Sequence, residues 1–332
     1  MGLRIGLLGS APSFEEIAAL AVLAEDLGFD GFFLPEHHQE PFWPSAPLIT
    51  LAGLAARTQR IRLGTAVTVM GLHNPVRLAE ETATLDRSSG GRAIVGLGLG
   101  YIERDFAALG APRSARVSLL EEGVEVLRRA WTQRPFSFQG RRFRFEGVSI
   151  YPEPVQRPHP PLWLAAWSRD GVRRAAGIAD GWLTDPIHGL DAIALLAQEY
   201  RDAAREAGRQ PCVVLMRQFA VAEDAARAAA LYGEMAANVW RYYWRNGSFN
   251  LLLEPAWRRV KSPEAIDAST VLPRRVPFGG PQECLEGFRQ WIDTLRPDYV
   301  IAVPTPSTLG QAALEAQVRL FGEAVLPRLA EP

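Results

Sequence analysis

Short apolar runs alternate with amphipathic helical patterns along the chain. Leu3–Leu8 reads as a strand. Ser13 and Glu16 then form a capping box, and Phe14, Ile17, Ala18, Ala21, Ala24 and Leu27 recur at the spacing of one buried helical face before Gly28 ends the helix. Gly31–Pro35 is a second strand, Leu48–Arg60 a helix, and Ile61–Met70 a third strand. Asn74-Pro75 opens the next helix, with proline where a missing N–H costs nothing. Ala93–Leu99 is a fourth strand, and Val117, Leu120, Val124, Leu127 and Trp131 mark a long amphipathic helix.

The alternation breaks after Pro135. FSFQGRRFRF alternates around Gln139-Gly140, so residues 135–148 read as an inserted antiparallel hairpin, followed by the extended stretch YPEPVQRPHPP. Strands resume at Leu162–Ala166, Gly181–Thr184, Val213–Val221 and Tyr299–Pro304, and a helix over Ser307–Leu326 closes the chain. Eight strands alternating with helices predict a single-domain (β/α)8 TIM barrel over residues 1–332. A doubly wound sheet calls for Gly-x-Gly-x-x-Gly after its first strand; GLLGSAPS lacks it, and GLGLG at Gly96–Gly100 lacks the third glycine. Arg241–Phe278 is long, mixed and bordered or occupied by Trp240, Tyr242, Tyr243, Trp244, Phe249 and Trp257. It reads as an insertion or lid beside the substrate pocket.

Composition narrows the chemistry. A net charge of −1 gives no attraction to nucleic acid or to an acidic membrane surface, and no apolar run approaches the ~18 residues of a membrane span. Lys261 is the only lysine, which leaves arginine as the anion binder. Cys212 and Cys284 lack metal-type spacing. They read as reduced thiols of a cytoplasmic protein, with a single disulfide left open, and no metal cluster is visible.

The most informative stretch is GFDGFFLPEHH. It delivers Glu36, His37 and His38 at a strand carboxyl end, where parallel α/β folds bind ligands. Side-chain alternation sends the two imidazoles different ways, one to the barrel mouth and one to nearby backbone. A second signal lies at Trp167-Ser168-Arg169-Asp170-Gly171. Ser168 is a natural helix cap whose neighbouring N–H groups suit an anion, Gly171 lets the backbone come close, and Asp170 opposes an anion unless it turns away. Arg116 begins a helix against the dipole, which a bound anion would explain. A plain cap at Ser168 and a solvated charge at Arg116 remain open. His73, Asn74, His159 and His188 are weaker candidates, Asn74 reading as a helix cap.

Taken in order, GFDGFFLPEHH, RIRLGTAVTVMGLHNPVRLAEETATLDRSSGGRAIVGLGLG, ERDFAALG, the Arg116 helix, FSFQGRRFRFEGV, PVQRPHPPLWLAAWS, AGIADGW and FGGPQECLEGF resemble the luciferase-like flavin-dependent monooxygenases. The resemblance implies a barrel with flavin mononucleotide (FMN) across its strand ends. It implies that His37 is the catalytic base and that Glu36 orients His37 or meets the flavin. Ala66 and Val67 then occupy a position where family members often carry a non-prolyl cis peptide under the ring. Leu99 and Tyr101 match positions that touch the ring or its side chain, and Arg116, Trp167, Ser168 and Gly171 fall at the phosphate end. Bacterial luciferase has an arginine in the place of Leu99, so Arg116 is expected to carry more of the anion binding. The implied reaction oxygenates a small organic substrate with O2 and reduced FMN, supplied by a separate flavin reductase, in a homodimer. A deazaflavin-dependent hydride-transfer enzyme and a non-catalytic flavin-binding protein are the alternatives.

Overall fold

Strands buried on both faces lose the polar alternation of a surface strand, and the barrel runs of this chain are of that kind. The computed structural model describes residues 2–272, 275–306 and 310–330. The barrel strands are β1 (Arg4–Leu8), β2 (Gly31–Leu34), β3 (Arg62–Thr65), β4 (Ala93–Gly98), β5 (Leu162–Ala165), β6 (Gly181–Leu183), β7 (Val213–Val221) and β8 (Tyr299–Pro304). Each pairs in parallel with the next, and β8 pairs with β1, so the sheet closes. The expected (β/α)8 barrel is the fold observed.

Alternate residues divide between two cores. Leu8, Phe33, Ile94, Trp163, Val214, Tyr299 and Ile301 fill the barrel interior. Leu7, Phe32, Val95, Leu162, Leu164, Leu215 and Val300 face the helices. Phe33 plugs the interior, its centroid 5.7 Å from both Trp163 and Tyr299. Glycine makes room for that ring: a Cβ on Gly64 would lie 2.5 Å from Phe33 Cε1.

The main helices are α1 (Phe14–Asp26), α2 (Pro47–Ala55), α3 (Pro75–Ser88), α4 (Arg116–Thr132), α5 (Arg169–Ile178), α6 (Leu190–Glu206), α7 (Ala225–Arg245), α8 (Pro281–Leu295) and α9 (Gln311–Ala324). Ser13 and Glu16 form the capping box on α1, and Asn74 caps α3. α2 stops well short of Arg60, because the carboxylate of Glu25 takes the N–H groups of Gln59, Arg60 and Ile61 and turns the chain into β3. The closing helix begins at Gln311; the expected start at Ser307 lies outside the described residues.

The hairpin is present as Phe136–Gln139 and Arg144–Val148, and Glu122 of α4 accepts the N–H groups of its turn residues Arg141, Arg142 and Phe143. The long segment differs from the expectation. Trp240–Arg245 belong to α7, and short turns follow at Ser248–Leu251, Pro255–Arg258, Pro263–Ala265 and Ala268–Val271. They pack Trp240, Phe249, Leu252, Ile266 and Val271 into a small core of their own. Among the described residues no helix is long and apolar enough to cross a membrane.

Candidate active site

The expected third strand is broken in the structure. β3 ends at Thr65, the chain bulges through a cis Ala66–Val67 peptide, and Thr68–Val69 then pairs with the end of β4. The glycines of GLGLG allow this close approach. A Cβ on Gly98 would lie 2.6 Å from Val67 Cγ2, and one on Gly96 would lie 2.2 Å from the Thr65 carbonyl oxygen. Thr65 fastens the bulge, its Oγ1 donating to the Gly96 carbonyl at 2.8 Å and accepting the Gly96 N–H at 3.1 Å.

Above this floor a cavity of about 600 Å³ opens at the strand carboxyl ends. Its lining includes Glu36, His37, Ala66, Val67, Leu99 and Tyr101, and also Arg116, Trp167, Ser168 and Gly171. The sequence-derived candidates therefore converge on one site.

Glu36 brackets the floor. Its backbone N–H donates to the Val67 carbonyl at 3.2 Å, and its Oε2 accepts the Val69 N–H at 2.8 Å. Its remaining partners are His38 Nε2 at 2.9 Å and His73 Nε2 at 2.9 Å, both on Oε1. Burial works to raise the Glu36 pKa, but the bonds from His38 and His73, the charge of His73 and the Val69 N–H together hold it below the ordinary carboxylate value. The bond to Glu36 in turn raises the pKa of His38, against the opposing effect of burial.

This corrects two expectations. Glu36 serves His38 and His73 rather than orienting His37, and His38 turns to a carboxylate rather than to backbone. The role of His73 was legible only as a histidine after the third strand. Its carboxylate partner lies 37 residues away, beyond the reach of local pattern.

His37 faces the cavity instead. Burial pushes its pKa down to about 4, with Glu36 pulling the other way. Its ring sits 5.1 Å from that of Trp43, and the Tyr242 hydroxyl lies 3.5 Å from its Nδ1. The imidazole is thus neutral at ordinary pH, with both nitrogens able to exchange roles.

At Ser168 the hydroxyl accepts the Gly171 N–H at 3.2 Å and caps α5. Arg116 is joined on the cavity by Arg113, a residue that sequence reasoning missed. Arg116 Nη1 donates to the Arg113 carbonyl at 3.2 Å, and the Arg113 Nε is buried with no partner. Burial and then the neighbouring Arg113 charge lower the Arg116 pKa. Among the described residues neither guanidinium has a carboxylate in salt-bridge range, and the Arg113 charge disfavours that of Arg116, a repulsion that a bound anion would relieve. Arg113 also supplies a second cation where Leu99 offers none. Arg174 lines the cavity too but pairs with Glu121 at 2.7 Å, and Asp170 is present as the opposing charge.

His188 proves structural. Its Nδ1 donates to Asp185 at 2.6 Å and its Nε2 accepts the Leu253 N–H at 3.0 Å, tying the turns after α7 to the end of β6. The fully buried Arg217 spans the same junction, donating to the carbonyls of Pro186 and His188 with its guanidinium 3.7 Å above Trp291. His159 packs on Trp131 away from the cavity.

The family described as luciferase-like monooxygenase matches residues 3–296. An F420-dependent glucose-6-phosphate dehydrogenase of Nakamurella multipartita is 27% identical over 343 residues, covering 98% of this chain and 96% of that protein. The crystal structure of monooxygenase RslO1 from Streptomyces bottropensis superposes with a TM-score of 0.80 at 25% identity, covering 99% of this chain and 100% of that one. The oxygenating constituent of 3,6-diketocamphane monooxygenase from Pseudomonas putida, solved with FMN, shares the fold over the full length of both chains, with a TM-score of 0.77 at 18% identity.

Proposed function

The chain belongs to the luciferase-like monooxygenase family, and from that premise we propose that it binds reduced FMN and oxygenates a small organic substrate with O2. The observation that carries this reading is the pair of uncompensated guanidiniums, Arg113 and Arg116, sharing one cavity with the capped start of α5 and the glycine-backed floor at Ala66–Val67. That set suits a flat ring with a phosphorylated side chain. The buried Tyr101 hydroxyl, which makes no well-formed hydrogen bond among the described residues, offers one more hydrogen bond to a ligand.

Reduced flavin supplies the electrons for oxygen activation, and the protein supplies position, dryness and proton control. Arg113, Arg116, Ser168 and Gly171 would hold the phosphate. Ala66, Val67, Leu99 and Tyr101 would hold the ring, with Trp167 beside Ser168. Glu36 is a positioning residue that fixes the floor through Val67 and Val69. His37 is the residue placed to move a proton: its neutral imidazole faces the cavity, and because burial makes it a weak base its gain falls towards the low end of the usual ~10²–10⁴ in rate. On this reading a separate reductase delivers the reduced flavin.

The full-length similarity to an F420-dependent dehydrogenase favours a second reading, hydride transfer with a deazaflavin in the same cavity. Titration separates them. The expected result is tight binding of reduced FMN, weaker binding of oxidised FMN, and oxygen consumption that responds to substrate. Tight binding of F420 with none of FMN selects the hydride-transfer reading.

A further inference from the structure

Five rings from separate parts of the chain meet beside His37. Trp43 lies in the segment after β2, Tyr101 after β4 and Trp167 after β5, while Tyr242 and Tyr243 occupy the last turn of α7. Trp43 and His37 are 5.1 Å apart, and His37 lies 6.0 Å from Tyr242 and 6.4 Å from Tyr101. Tyr243 completes the wall at 5.9 Å from Tyr101 and 5.4 Å from Trp167. Tyr101, Trp167 and Tyr243 all face the cavity. We propose that this wall selects a neutral, planar aromatic substrate carrying one hydroxyl or carbonyl group. The proposal rests on the flavin-dependent reading and names its substrate class.

Three observations lead there. The first is shape: a wall of rings offers faces and edges that reward another ring beyond area burial and give a flexible alkyl chain no such gain. The second is the polar anchor. The Tyr101 hydroxyl is buried and makes no well-formed hydrogen bond, with the Tyr242 hydroxyl beside it, and burial keeps it protonated by raising its pKa well above the ordinary tyrosine value. Only weakly engaged there, it can turn to donate to a ligand carbonyl or accept from a ligand hydroxyl.

The third is charge. Arg104, the cation near His37, is already engaged by Glu40 and Asp105. Arg113 and Arg116 are assigned to the phosphate. The Glu36 carboxylate is filled by His38, His73 and Val69. Among the described residues the one carboxylate acting on the wall tyrosines that keeps an oxygen without a hydrogen bond, Asp105, already has the Arg104 guanidinium 3.9 Å away, so a charged substrate gains little there.

Equilibrium dialysis tests this on the full chain, with and without FMN. The probes are 2-naphthol, naphthalene, 2-naphthoate, decanal and benzyltrimethylammonium. We expect 2-naphthol to bind at least tenfold tighter than decanal, 2-naphthoate or the ammonium. Tyr101→Phe should weaken 2-naphthol about tenfold and leave naphthalene unchanged, whereas Tyr243→Leu should weaken both. Equal or tighter binding of decanal or of either charged probe overturns the proposal, as does a Tyr101→Phe chain that holds 2-naphthol as tightly as the parent. Dialysis needs no turnover. Binding of 2-naphthol by a chain that ignores FMN removes the flavin reading and keeps the aromatic slot; FMN binding with no aromatic preference does the reverse.

Discussion

Acid should destabilise this protein through His37 before the carboxylates titrate. In the unfolded chain its imidazole takes its proton near pH 6.5; in the fold, burial pushes that value down to about 4, against the pull of Glu36. A depression of about 2.5 pH units is worth ~3.4 kcal/mol at the limit. Because the folded value is the lower one, the unfolded chain binds the proton first, and stability is lost as pH falls from 6.5 towards 4. Integrating the two titrations to pH 5 gives a loss of roughly 2 kcal/mol relative to pH 7.5. His37→Gln removes this contribution while leaving Glu36, His38 and His73 in place. Urea unfolding of both chains at the two pH values should therefore show the parent losing about 2 kcal/mol more than the variant. Imidazole proton resonances give a second readout, since the His37 signal should stay put from pH 8 to pH 5. A parent and variant with the same pH dependence, or a His37 signal that titrates between pH 6 and 7, refutes the buried, neutral base. The same reasoning makes His37 available as a base well below pH 6.5.

Arg116→Ala should weaken FMN binding by about 1.5–3 kcal/mol and riboflavin binding far less, measured by fluorescence titration; equal losses remove the phosphate assignment. Glu36→Ala leaves His38, His73 and the Val69 N–H without their acceptor. It should cost about 2–4 kcal/mol in thermal or urea unfolding at neutral pH, and an unchanged midpoint contradicts the bracket. In Gly98→Ala the new Cβ would lie 2.6 Å from Val67 Cγ2. That substitution should cost about 1–3 kcal/mol of stability and also loosen FMN, and full retention of both speaks against a rigid floor.

The barrel was legible because fully buried strands print themselves as apolar runs and because caps such as Ser13-Glu16 and Asn74 are local. The ends of elements were less legible. The break after Thr65 depends on Gly96 and Gly98, some 30 residues on, and the early stop of α2 depends on Glu25. At the site, strand ends and a helix cap exposed His37, Ser168 and Arg116. The partners of Glu36 and the presence of Arg113 did not show, because a single arginine or histidine carries no local signature of what it will face. The stretch after Trp240 lies beside the cavity as expected, through Tyr243, Asn246 and Ser248, but its form was hidden: the aromatic residues at 240–244 continue a helix, and the turns beyond it, three or four residues each, are too short to show a period.

The junction at His188 bears on how such a pocket can be altered by design or by drift. The floor is barrel backbone packed so closely that a single methyl group collides. The facing wall, Tyr242 and Tyr243, belongs to a segment with its own small core, moored to the barrel through Leu253 and through Glu254, which accepts the Gly189 N–H at 2.7 Å. Sequence changes between residues 240 and 251 that spare this mooring can reshape what the pocket admits while the floor stays untouched. On the proposed reading, selectivity and cofactor capture would be separately mutable in one chain, and a combinatorial library aimed at new substrates would belong on that wall.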